Sequence, residues 1–119
     1  MSDFTKDHIA EVISIAEKLD AATINEMIEI LAQVKNTGGR LFILGVGGSA
    51  GNASHAVNDF RKLAAIESYA PTDNVSELTA RTNDEGFETI FVGFLSISKL
   101  TEKDCLLILS VGGGDRSEE

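Results

Sequence analysis

Apolar residues recur at helical spacing from the start of the chain. Ile9, Val12, Ile13, Ala16 and Leu19 fall on one face of residues 3–19, and Asp7, Glu11, Glu17 and Lys18 lie mostly elsewhere. A second stripe, Ile24, Met27, Ile28, Leu31 and Val34, follows Thr23-Ile24-Asn25-Glu26, which has the spacing of a capping box, and Gly38-Gly39 ends it. The pattern predicts a helical hairpin over residues 1–39, its stripes packed as core on the rest of the chain or on a second subunit. At Leu41 the pattern changes. Leu41-Phe42-Ile43-Leu44 is continuously apolar and reads as a buried strand, followed by a glycine-rich turn. A helix is predicted from Ser49 to Ala65, with Ala53, Ala56, Val57, Phe60, Leu63 and Ala64 as its apolar face and Asn52, His55 and Asp59 on another. Ile66–Ala70 reads as a second strand, ended by Pro71. Asp73-Asn74 reads as a turn or N-cap before a short helix near Val75–Ala80, and Asn83-Asp84-Glu85-Gly86 as a break. Phe87, Ile90, Phe91, Phe94 and Leu95 form the stripe of one more helix. Cys105–Ser110 is a second continuous apolar run, predicted as a buried parallel strand, and it ends in the glycine loop Gly112-Gly113-Gly114-Asp115.

The alternation after residue 40 is β-α-β-α-β. It predicts an α/β domain over residues 40–119 with a parallel sheet, right-handed crossovers and ligands at the carboxyl ends of the strands. Three strands make a thin sheet with a poorly covered edge, and a further helix is expected after Gly114. The expectation is a truncated chain, or one that completes itself by association.

Charge and cysteine content narrow the function classes. A net charge of −9 argues against a nucleic-acid surface and against an anionic membrane surface. Hydrophobic content of 43% and charged content of 24% are those of a soluble globular protein. Cys105 is the only cysteine, read as a buried strand thiol in a reducing compartment. The first seven residues have no apolar signal core, and no apolar run is long enough to span a bilayer, so a cytoplasmic location is expected.

Strand, glycine turn and helix N-terminus in succession can bind an anion, because free backbone N–H groups and the positive end of the helix dipole converge there. Gly45-Val46-Gly47-Gly48-Ser49-Ala50 fits the dinucleotide pattern G-x-G-x-x-A, but Glu67, at the right distance for the ribose acid, lies at the start of its strand. No nucleotide cofactor is expected. Gly47-Gly48-Ser49-Ala50-Gly51 fits a nucleophile elbow, yet the only later histidine, His55, lies in the same helix and points elsewhere. The nucleotide P-loop fails because no Gly-Lys-Ser/Thr follows. His55 and Asp59 are one helical turn apart. Such a pair can ligate a metal, perform acid–base work, or simply hydrogen-bond to itself; two ligands do not close a metal site.

At these residues the sequence resembles the SIS (sugar isomerase) domain family and, within it, the phosphoheptose isomerases. The resemblance runs through the helical lead-in, Gly45–Asp59, Thr82–Phe87 and Leu106–Gly113. It implies a doubly wound, flavodoxin-like three-layer sandwich. It also implies an aldose–ketose isomerisation of sedoheptulose 7-phosphate toward a heptose 7-phosphate. Gly47, Gly48, Ser49, Ser110, Val111 and Gly112 would hold the phosphosugar, with Asn83 and Asp84 on its hydroxyls. His55 and Asp59 would be metal ligands, zinc being the implied metal, and catalytic groups, Asp59 moving the proton. A homo-oligomer, dimer or tetramer, is implied as well. Five positions depart from the family pattern: Val46 replaces an asparagine, Asp59 a glutamate, Val111 and Gly112 hydroxyl residues, and Asp115 a phosphate-binding serine. The alternative is a non-catalytic phosphosugar-binding or regulatory module, and a third reading is an assembly subunit.

Overall fold

The computed structural model describes residues 3–113. Its helices are α1 (Phe4–Glu17), α2 (Ala21–Thr37), α3 (Gly48–Lys62), α4 (Val75–Asp84) and α5 (Ile90–Ile97), and its strands β1 (Leu41–Gly45), β2 (Ser68–Tyr69) and β3 (Cys105–Leu109). Short 3-10 turns at Pro71–Asp73 and Phe87–Thr89 precede α4 and α5. The chain divides into two units, Met1–Ile30 and Leu31–Glu119.

In the first unit the amphipathic stripes are present and exposed in this chain. No residue of α1 is buried, and α1 and α2 scarcely touch. Ile9, Val12 and Ile13 on α1, and Ile24, Met27 and Ile28 on α2, are all exposed. Periodicity correctly marks the apolar face; it does not say what covers it. The capping-box reading of Thr23 is also corrected. The cap of α2 is Asp20, whose carboxylate accepts the Ala22 N–H at 2.9 Å and the Thr23 N–H at 3.3 Å, while the Thr23 hydroxyl donates to the same carboxylate at 2.8 Å. These three donors, the hydroxyl first, hold the Asp20 carboxyl below the usual carboxylate range. The far end of α2 stops as expected. The Gly39 N–H reaches the Val34 carbonyl at 2.9 Å and the Gly38 N–H the Lys35 carbonyl at 3.3 Å, the paired bonds of a glycine C-cap.

The second unit is built on β1. All five of its residues are buried, and it lies between β2 and β3 in a three-stranded parallel sheet of order β2-β1-β3. Successive side chains of a strand point to opposite faces. Leu41 and Ile43 therefore pack with Val34, Ala53, Ile66 and Ala70 on one side, beneath α3 and the last turns of α2. Phe42 and Leu44 pack with Ile90 and Phe91 on the other, where Leu78, Phe94 and Leu95 of α4 and α5 close the layer. Helices on both faces make this a doubly wound, three-layer arrangement. Burying each large β1 side chain contributes roughly 2 kcal/mol.

Four expectations are corrected here. Leu63 points to solvent, 77% exposed, because α3 ends at Lys62 before another turn can aim it at the sheet. β2 is only two residues long, since Pro71 opens a 3-10 turn immediately after it. Asn83 and Asp84 are not in a loop; they are the last two residues of α4, which opens on the Asn74 side chain and is extended by Arg81 paired with Glu77 and Glu85. β3 is not buried on both faces. Cys105, Leu107 and Leu109 join the α3 side, but Leu106 and Ile108 are 43% and 53% exposed, because α5 covers β1 rather than its neighbour. The Cys105 thiol is half-buried, and that burial pushes its pKa up, which keeps it protonated and unreactive near neutral pH. No helix among the described residues is long and apolar enough to cross a membrane.

Candidate functional site

The order β2-β1-β3 places the point where the winding reverses between β1 and β3. Ligands of doubly wound sheets bind outside the carboxyl ends of the strands at that point. Gly45 pairs in register with Leu109, so the turn after β1 and the loop after β3 leave the sheet side by side. The two glycine-containing loops thus share one edge of the domain, as the sequence implies.

The turn after β1 depends on two glycines. A Cβ on Gly45 would lie 2.6 Å from the Ser49 carbonyl carbon and oxygen, so only glycine lets β1 run this close under the first turn of α3. Gly47, the N-cap of α3, has φ +60° and ψ −121°, a backbone conformation side chains resist. From there α3 begins. The Ser49 N–H returns to the Val46 carbonyl and the Gly51 N–H to the Gly47 carbonyl, both at 3.1 Å. The N–H groups of Gly48 and Ala50 have no acceptor among the described residues, so they and the helix dipole remain for an anion. Ser49 is half-buried beside them. Beyond β3, Ser110 is half-buried, whereas Val111 is fully exposed and Gly112 faces open space. Asp115 lies outside the described residues.

His55 and Asp59 follow on α3. His55 Nε2 is 3.2 Å from Asp59 Oδ2, with the side chains 78% and 47% exposed, and Asn58 Nδ2 donates to Asp59 Oδ1 at 3.3 Å. Imidazole and carboxylate suit zinc, but a closed site takes four ligands. Among the described residues no group of three or more His, Cys, Asp and Glu side chains could hold a metal. The pair could therefore supply half of a zinc site. Asn83 and Asp84 sit together, Asn83 Nδ2 donating to Asp84 Oδ1 at 2.8 Å on the exposed end of α4.

A cleft of about 360 Å3 opens on the β2 side of the same turn, lined by Val46 and Gly47, by Ala50, Gly51 and Ser54 of α3, and by Thr72, Asp73, Leu78 and Phe87. None of the side chains singled out in the sequence as catalytic lines it. Thr72 and Asp73 carry only the local signature of a turn, so nothing in the sequence marks them as lining a site.

A doubly wound α/β domain with free backbone N–H groups at its switch point is a scaffold that can receive an anion. The sequence profile of the SIS domain matches residues 5–117, and the chain belongs to the SIS domain family. A phosphoheptose isomerase of Chlorobium phaeobacteroides is 34% identical over 110 residues, covering 82% of this chain and 46% of that protein. One from Aneurinibacillus thermoaerophilus is 30% identical over 125 residues, covering 95% of this chain and 62% of that protein. The structure of phosphoheptose isomerase GmhA from Neisseria gonorrhoeae superposes with a TM-score of 0.85 at 27% identity, over 97% of this chain and 63% of that one. The chain spans about half the length of the curated relatives it matches.

Proposed function

We propose that this chain carries the phosphosugar-binding part of an aldose–ketose isomerase acting on sedoheptulose 7-phosphate to give a heptose 7-phosphate. The observation that carries this reading is the pair of glycine loops leaving adjacent carboxyl ends of β1 and β3, with free N–H groups at the start of α3. In this reading the phosphate is held by the Gly48 and Ala50 N–H groups, by Ser49 and by Ser110. Gly47 and Gly112 leave room for it, and Val111 contributes only backbone. Backbone donors compensate for the hydroxyls that the second loop lacks. Asn83 and Asp84 contact sugar hydroxyls.

Asp59 takes the proton from the carbon next to the carbonyl. The C–H electron pair forms an enediolate, the proton of the adjacent hydroxyl passes to the former carbonyl oxygen, and the proton held by Asp59 returns to the former carbonyl carbon. His55, with Nε2 3.2 Å from Asp59 Oδ2, orients that carboxylate. Should zinc be bound, His55 and Asp59 would be two of its ligands, and the ion would polarise the substrate oxygen. The site needs no nucleotide cofactor. Replacing Asp59 by Asn is expected to lower turnover of sedoheptulose 7-phosphate, followed by NMR of the sugar protons, by about a hundredfold or more, the usual contribution of a positioned base. Saturable binding should persist. Unchanged turnover would remove Asp59 from the role.

The exposed stripes of α1 and α2 favour association with a second copy. Ile9, Val12, Ile13, Ile24, Met27 and Ile28 are each 41–57% exposed and form apolar faces that water does not favour. Sedimentation velocity should show a dimer or tetramer, and the double change Ile13→Glu with Ile28→Glu should give a monomer. A wild-type monomer at high micromolar concentration would contradict this. The lone free thiol fits a cytoplasmic location.

A further inference from the structure

The cleft beside the glycine turn shares Val46, Gly47 and Ala50 with that turn, and neither His55 nor Asp59 lines it. Its lining has two chemistries. Val46, Ala50, Leu78 and Phe87 supply apolar walls. Ser54, Thr72 and Asp73 supply two hydroxyls and a carboxylate, and none of these three side chains hydrogen-bonds to another group among the described residues. Asp73 is held in place by its backbone alone, its N–H bonding the Ala70 carbonyl at 3.0 Å in the 3-10 turn. The side chain is left free to accept hydrogen bonds.

The kind of ligand follows from these groups. A second phosphate is disfavoured, because Asp73 carries a negative charge, no Lys or Arg lines the cleft, and the chain as a whole is at −9. An aliphatic ligand would leave a carboxylate and two hydroxyls unpaired. A carbon chain bearing hydroxyls satisfies both walls: its C–H faces lie on Phe87 and Leu78, and its O–H groups donate to Asp73 or exchange hydrogen bonds with Thr72 and Ser54. Val46 and Gly47 belong to the turn and to the cleft alike, so a molecule anchored by its phosphate at the turn has the cleft as its next surface.

We infer that the Ser54–Thr72–Asp73 cleft is a polyol subsite that receives the hydroxylated carbon chain of the phosphosugar and sets the preference for long-chain over short-chain ketose phosphates. This rests on the phosphosugar reading of the glycine turn. These three are binding residues, and no proton-transfer role is assigned to them.

The test is isothermal titration of the chain with sedoheptulose 7-phosphate, dihydroxyacetone phosphate and inorganic phosphate, on the wild type and on Asp73→Asn, Thr72→Val and Ser54→Ala. All three positions lie at the surface or half-buried and lack side-chain partners, and circular dichroism will verify that each variant keeps the fold. The wild type is expected to bind the seven-carbon ligand at least tenfold more tightly than the three-carbon one. Asp73→Asn and Thr72→Val should each weaken the seven-carbon ligand by about five- to tenfold, as loss of one hydrogen bond to a sugar hydroxyl predicts, and leave the other two ligands unchanged. Equal loss for all three ligands, or no loss for the seven-carbon one, would overturn the subsite while leaving the phosphate site intact. Failure of the wild type to bind any of the three would overturn the phosphosugar reading itself, and the subsite with it.

Discussion

Substituting Gly45 by Ala is expected to be the most damaging single methyl addition in the sheet unit. The new Cβ would sit 2.6 Å from the Ser49 carbonyl carbon and oxygen and 2.8 Å from the Ser49 Cβ. Two of these three atoms are backbone, so no rotamer change relieves the contact. Either the end of β1 or the first turn of α3 must move. Overpacking of a rigid site costs about 1–3 kcal/mol, and the central, fully buried position of β1 places this change at the upper end. The displacement falls on the Gly48 and Ala50 N–H groups, the proposed phosphate donors, and moving binding groups by about an ångström costs on the order of a hundredfold. Gly51→Ala is the control. Its Cβ meets nothing within 4 Å, and alanine suits a helix, so stability should hold or rise. Urea midpoints of the two variants decide the matter. Equal midpoints would show that strand and helix are not packed as described.

The second large effect is at the opposite end of β1. The Asp104 carboxylate accepts the Arg40 N–H at 2.8 Å, Arg40 Nε at 3.2 Å, Arg40 Nη2 at 2.8 Å and the Thr101 N–H at 2.9 Å. Its side chain is 4% exposed against 25% for Arg40. Arg40 in turn donates to the Lys99 carbonyl at 3.2 Å, and its carbonyl accepts the Cys105 N–H at 2.9 Å. The pair therefore ties the start of β1 to the start of β3. The Arg40 side chain, before any other cause, holds the Asp104 carboxyl down at about 2. Because this folded value lies below the unfolded one of 3.8, the contribution is complete above about pH 4 and disappears as pH falls through about 2. Its size is about 2 kcal/mol. Asp104→Ala should cost about 3 kcal/mol at neutral pH, since it also leaves Arg40 without its partner. The variant should lack this part of the acid dependence between pH 4 and 2. Parallel stability–pH curves for wild type and variant would refute the linkage.

How much of this was readable from residues varies with how local the cause is. The β1 run, the glycine stop of α2, the Asn74 cap and the side-by-side glycine loops follow from local chemistry, and the structure shows each one. Asn83 and Asp84 read as a break because both residues disfavour helix interiors, yet the Arg81 pairs with Glu77 and Glu85 carry α4 through them. Leu106 and Ile108 read as buried because an uninterrupted apolar run has no local sign of which face goes uncovered; α5 decides that by packing on Phe42 and Leu44 instead. The stripes of α1 name a face without naming its partner. The cleft was invisible for a related reason. Ser54, Thr72 and Phe87 come from three separate elements, and only the crossover geometry brings them to one side of Gly47.

The central claim is that the turn between β1 and α3, with the loop after β3, is a working phosphosugar site. A thermal melt of the chain at increasing sedoheptulose 7-phosphate tests it most directly. Binding to the folded state alone raises stability by mass action, by about 2.7 kcal/mol at a hundred times the dissociation constant. The wild type should show one cooperative transition whose midpoint climbs by several degrees with ligand concentration, and the Gly45→Ala variant a lower midpoint that does not climb. A sharp wild-type transition that stays fixed at every ligand concentration would contradict it.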